Sequence, residues 1–138
     1  MEPRAFHYAF LVKDLEETRR FYVDVLGCRE GRRAATWIDL ELFGNQLSCH
    51  LGAPPAAASC GEVDGISVPM PHFGAVVSFE EYDRLAGRLT AAGVAFVVTP
   101  RIRYPGEPGE QGTFFFLDPS GNALEFKAFR RPDEVFAR

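Results

Sequence analysis

The chain has 138 residues, 46% of them hydrophobic and 25% charged, with a formal net charge of -4. That balance fits one ordinary globular unit able to build its own core, and the negative charge argues against nucleic acid or an anionic membrane as partner. Cys28, Cys49 and Cys60 form no CxxC pair, Met1-Glu2-Pro3-Arg4 begins no signal-type apolar run, and no apolar stretch nears the length of a membrane span, so the expectation is a soluble, cytoplasmic protein.

The first strand is expected where Phe6, Tyr8, Phe10 and Val12 alternate with His7, Ala9 and Leu11, the two-residue period of a strand. Asp14 with Glu17 three residues on is a capping box. Leu15, Phe21, Tyr22, Val25 and Leu26 then share one helix face, which Gly27 stops. Strands follow at about 29–32, 36–43 and 46–51, with Gly44-Asn45 as the tight turn between the last two. Residues 52–71, rich in Pro, Ala and Gly, read as a linker.

Then the pattern starts again. His72 opens a short apolar strand, Ser78 and Glu81 make a second capping box, Leu85, Leu89 and Ala92 supply the apolar stripe, and Gly93 stops the helix. Strands are expected at about 95–100, 112–117 and 123–129, with Asp118-Pro119-Ser120-Gly121-Asn122 as the turn before the last. The long polar stretch RYPGEPGEQ is of the kind that forms lids and binding loops, and equally of the kind that forms a solvated hairpin loop. Residues 130–138 form a charged tail. The chain thus reads as an α+β domain of two βαβββ modules: module 1 at about 5–51, a linker at 52–71, module 2 at about 72–129 and a tail at 130–138.

The chain's three histidines all fall in strands or at their starts. His7 and His72 open equivalent strands, His50 closes the first module, and Glu125 lies in the strand that closes the second. Strand alternation sets Gln46, Ser48 and His50 opposite Leu47, Cys49 and Leu51, and sets Ala123, Glu125 and Lys127 opposite Leu124 and Phe126. If the strands curl around a cavity, His7, His50, His72 and Glu125 can converge in it. Imidazole and carboxylate suit Zn, Fe, Ni, Co and Mn, and two histidines with one carboxylate make a facial triad that leaves positions open on Fe(II). A single strand histidine is more often packed or solvated than metal-bound; the repeat is what singles these out. Lys127, on the face of Glu125, is a candidate to hold an anionic substrate. Trp37 shares a face with Asp39 and Glu41 and is a candidate stacking residue. Tyr104 and Glu107 are candidate loop contacts, Tyr104 also as a proton donor. For each of these, a core or solvated role is the alternative.

The stretches HYAFLVKDLEETRRFYVDVLG, CHLG, HFGAVV and FFFLDPSGNALEFKAF resemble the vicinal oxygen chelate superfamily, which includes glyoxalase I, extradiol dioxygenases and fosfomycin- and bleomycin-resistance proteins. The resemblance covers nearly the whole chain, and the DPSGNALE turn and strand is its most specific part. VPMPHFG and GEPGEQGTFFFLDPSGNALEFKAF are most similar to small single-chain proteins described as extradiol-type dioxygenases. The resemblance implies a cupped, barrel-like mixed sheet with the helices outside, and metal ligands at His7, His72 and Glu125. His50 stands at the place where bacterial-type glyoxalase I carries a glutamate, so it is read as a fourth ligand or as an acid–base residue behind the ligands.

The implied activity is an Fe(II)-dependent extradiol-type dioxygenase acting on a small vicinal-dioxygen substrate. One divalent metal per chain is expected, with Fe(II) favoured over Zn, Ni, Co or Mn. The alternatives are a glyoxalase I-like lyase or isomerase using Ni, Co or Zn, and a non-catalytic drug-binding resistance protein, against which the full ligand set argues. A homodimer is expected by analogy with many relatives, with module exchange between chains as one way to build it.

Overall fold

The computed structural model describes residues 1–56 and 58–137. They form two compact units, one made of Met1–Ala56 with Asp118–Asn122, the other of the remainder.

In the first unit, β1 (His7–Val12) leads to α1 (Leu15–Arg19), which continues as a π-helical segment (Arg20–Leu26) into β2 (Arg29–Ala34), β3 (Trp37–Leu42) and β4 (Asn45–Leu51). The sheet order is β1-β4-β3-β2, with β1 parallel to β4 and the other pairs antiparallel. The cap forms as its sequence requires: Asp14 Oδ1 accepts from the Glu17 amide at 2.7 Å, and Gly27 ends the helix at φ 87°. The single regular helix expected here is instead wound more widely from Arg20. That winding carries the adjacent Phe21 and Tyr22 both into the core with Leu26. The strands bury Val12, Ile38, Leu40 and Cys49 on one face, while Gln46 and Ser48 both donate to the Asp39 carboxylate on the other.

Two details of this unit differ from expectation. The tight turn is Phe43-Gly44, at φ 50° and 78°, because Leu42 pairs with Asn45. Asn45 contributes its side chain instead, accepting from the Phe6 amide at 2.8 Å. The turn Asp118–Asn122 belongs to this unit. Its Asp118 Oδ1 accepts from the Ser120 and Asn122 amides, and Oδ2 accepts from the buried Tyr22 hydroxyl at 3.0 Å.

The second unit contains β5 (Ala58–Val63), β6 (Ile66–Met70), β7 (His72–Val77), α2 (Phe79–Ala91), β8 (Phe96–Arg103), β9 (Gln111–Leu117), β10 (Ala123–Phe129) and a short 3-10 turn, Pro132–Phe136, in the expected tail, whose last residue, 138, lies outside the described residues. Its sheet order, β7-β10-β9-β8 with β7 parallel to β10, repeats that of the first unit. The fold is therefore α+β with two βαβββ modules. The strands of the two modules form two four-stranded mixed sheets, each hydrogen-bonded within itself, and not a closed barrel.

Ser78 caps α2 through the Glu81 amide, and Gly93 follows it at φ 73°. Tyr82, Leu85 and Leu89 are buried. They pack with alternate residues of β9 and β10, Phe114, Phe116, Leu124 and Phe126, all fully buried, with Phe114 and Tyr82 ring centroids 4.9 Å apart. Alternation then puts Thr113, Phe115, Glu125 and Lys127 on the opposite face.

The stretch 52–71 is more than a linker. Apart from residue 57, which lies outside the described residues, it contains a hairpin, β5–β6, turned by Asp64-Gly65 at φ 53° and 73°. Val68 of the hairpin packs with Val98 and Phe115. β8 also runs past Pro100, the end expected from sequence, to Arg103. It can do so because it is the outer strand and its register shifts between Val98 and Arg101, so proline's missing N–H breaks no ladder bond. Among the described residues, no helix is long and apolar enough to cross a membrane.

Candidate metal and substrate site

His72 sits at the start of β7 with its Nδ1 2.8 Å from the Pro69 carbonyl oxygen. A carbonyl only accepts, so Nδ1 carries the proton and donates, leaving Nε2 to present a lone pair. That Nε2 lies 3.1 Å from Glu125 Oε2. Two lone pairs at this distance can share a metal ion or a proton between them. Glu125 is 9% exposed, its Oε1 accepting from the Thr113 hydroxyl at 2.7 Å and lying 3.5 Å from Lys127 Nζ. β7 comes this close to β10 because residue 74 is glycine: a Cβ there would lie 1.6 Å from the Glu125 carbonyl oxygen.

In the first unit, His7 is prepared in the same way. Gln46 Nε2 donates to the Asp39 carboxylate at 3.2 Å, which turns Gln46 Oε1 toward His7 Nδ1, 2.8 Å away. Nδ1 must then donate, and Nε2 is again left with its lone pair. Ser48 donates to the other Asp39 oxygen at 2.6 Å and completes the brace. An imidazole whose Nδ1–H is tied to an oxygen acceptor is the usual form of a metal-binding histidine. Imidazole and carboxylate donors such as His72 and Glu125 fit Fe, Zn, Ni, Co or Mn.

The register reassigns His50. In the second module Glu125 lies two positions past Ala123, the residue paired with His72. In the first, His7 pairs with Gln46, so the place of Glu125 falls on Ser48 and that of Lys127 on His50. His50 stands four positions from His7's partner, about 13 Å along the strand, and lies beside Trp37 with ring centroids 6.5 Å apart. This disfavours His50 as the closing-strand ligand of the first module. No group of three or more His, Cys, Asp or Glu side chains arranged to hold a metal occurs among the described residues; the pair brought together is His72 with Glu125.

A cavity of about 240 Å³ opens over this pair. Val68, Val98 and Phe115 form its apolar wall, while Thr113, Lys127, Arg101 and Arg103 join His72 and Glu125 on the polar side. Asp64, at the hairpin turn, accepts from Arg103 Nε at 2.5 Å, and this bond holds its carboxyl below the ordinary value. Arg103 also reaches the Tyr104 hydroxyl at 2.7 Å. Of the residues singled out from sequence, Lys127 lines the cavity; Tyr104 and Glu107 do not, and Trp37 belongs to the first unit. Sequence reading missed Arg101, Thr113 and the hairpin. The Asp64-Gly65 pair within the alternating run EVDGISV is a strong hairpin signal that would have found the last of these.

Two βαβββ modules sharing one strand order, the second setting a histidine of its first strand against a carboxylate of its last, define a paired-module α+β class. The chain belongs to the Glyoxalase/Bleomycin resistance protein/Dioxygenase superfamily, whose family model matches residues 4–126. Among solved structures it is similar to a glyoxalase/bleomycin resistance protein/dioxygenase from Alicyclobacillus acidocaldarius, 32% identical with a TM-score of 0.80, over 99% of this chain and 100% of that one. It also shares its fold with the genomically encoded fosfomycin resistance protein FosX from Listeria monocytogenes, 21% identical with a TM-score of 0.73, over 97% of this chain and 98% of that one. Comparison with curated proteins gave no match.

Proposed function

We propose that the chain is a divalent-metal-dependent enzyme of its superfamily, with His72 and Glu125 as ligands and His7 as the third. The observation that carries this reading is the His72 Nε2 to Glu125 Oε2 approach of 3.1 Å at the floor of an apolar-walled cavity. The sequence repeat supports His7, and so does its Nδ1 bond to Gln46, which matches that of His72 to Pro69. Two imidazoles and one carboxylate are the facial triad of non-haem Fe(II) oxygenases, so the activity proposed is extradiol-type oxygenation of a small vicinal-dioxygen substrate.

The metal, once bound, would supply chelation of two adjacent oxygens and Lewis-acid polarisation. The chain's own residues do the rest. Pro69 and Gln46 fix the two imidazoles, Thr113 and Lys127 hold Glu125 Oε1 so that Oε2 faces His72, and Val68, Val98 and Phe115 keep water from one side of the substrate. The test is oxygen uptake with catechols by protein reconstituted anaerobically with Fe(II). Uptake with a ring-cleavage chromophore, abolished in His72→Ala, supports the dioxygenase. Turnover of a thiol–ketoaldehyde adduct with Ni or Co, without oxygen uptake, would replace it with a lyase or isomerase.

A further inference from the structure

Strand register puts three polar residues in one row across the cavity face: Arg101 pairs with Thr113, and Thr113 pairs with Lys127. The neighbouring row is Val98, Phe115 and Glu125. Rows two residues apart are separated by about 7 Å. Arg101 therefore stands one row from the carboxylate that faces His72, and Lys127 reaches back to within 3.5 Å of Glu125 Oε1. The other basic residue of the cavity, Arg103, is taken up by Asp64 at 2.5 Å and by Tyr104. Arg101 stands 4.0 Å from Asp64, with its side chain 32% exposed. Three cations against Asp64 and Glu125 leave the lining at +1, and a divalent ion would raise it to +3. A half-enclosed space of that sign, with an apolar wall, selects for a ligand that brings negative charge.

We propose that this cavity takes a small anionic substrate, its chelating oxygens toward His72 and Glu125 and a carboxylate or comparable anion held between Arg101 and Lys127. The inference rests on the metal-site reading above and names its substrate class. The apolar part of such a substrate would lie against Phe115, Val98 and Val68.

The test uses two probes that differ only in the anion, catechol and 3,4-dihydroxybenzoate. Co(II) is first titrated into the protein and followed by its visible absorption. Each probe is then titrated into the loaded protein, and benzoate and benzyl alcohol are titrated into the metal-free protein by calorimetry. The expected result is that the carboxylated probe binds about tenfold or more tighter, as a charge-assisted hydrogen bond allows. That preference should fall to near parity in Arg101→Gln, with unchanged melting temperature. Equal affinity of the two probes, or a preference that survives Arg101→Gln, would overturn it. Absence of Co(II) binding alongside a benzoate preference that Arg101→Gln removes would sink the metal reading while leaving the anion site standing.

Discussion

A hydrogen bond behind a ligand decides what the ligand can do. Gln46 is the clearest case, because its amide is oriented by Asp39 and in turn orients His7. Gln46→Leu removes the acceptor of the Nδ1 proton, so the ring is free to turn and to change tautomer. Metal affinity should fall by about 10- to 100-fold while the circular dichroism stays that of the parent, as competition with a chromogenic chelator would show; unchanged affinity would remove His7 from the ligand set. Tyr82 gives a prediction of another kind. Burial lifts its phenol to about 12, so the folded protein keeps a proton that the unfolded chain begins to lose above about pH 10. The unfolded state then binds fewer protons than the native one, and stability must fall as pH rises from about 10 to about 12. Burial and the Asp118 carboxylate move Tyr22 in the same direction. Thermal unfolding between about pH 9 and 11 should show this fall, and Tyr82→Phe should make it shallower; an equally steep fall in the variant would mean that another group is responsible.

At the scale of elements, the hairpin β5–β6 is the part that local sequence disguised and tertiary contacts reveal. Its Pro- and Ala-rich flanks resemble a linker, yet Val68 packs with Val98 and Phe115, and Asp64 ties the turn to Arg103. Asp64→Asn removes the charge from that tie, which is partly solvent-exposed. The expected outcome is faster hydrogen exchange and proteolysis confined to β5 and β6, with little change in the melting temperature. Protection unchanged across the hairpin would show that the apolar contacts alone hold it. Other elements were legible because their signals are local. Both capping residues, both glycine stops and the last strand read correctly, since each depends on side chains within a few positions. Where the outcome depends on partners distant in sequence, the reading slipped. The turn moved to Phe43-Gly44 because the β3–β4 register set it, and β8 passed through Pro100 because an outer strand can spare that N–H.

At the scale of the whole molecule, the repeat was legible because both modules keep the same signals in the same order, and the identical sheet orders follow from it. The candidate site was legible only in outline. Its histidines and Glu125 stood out by residue type and by place in the repeat. The equivalence of Glu125 with Ser48 rather than His50 needed the parallel register of β1 with β4 and β7 with β10. Arg101 needed the bulge that returns it to the cavity face after Pro100. The central claim is that the chain holds a divalent metal through His72 and Glu125. Metal content by elemental analysis tests it most directly, on protein purified without chelator or histidine tag and then reconstituted anaerobically with Fe(II), beside His72→Ala and Glu125→Gln. The account predicts one metal per chain in the parent and loss in both variants, with their secondary structure intact. A parent that takes up no metal, or a His72→Ala variant that keeps it, would contradict the account.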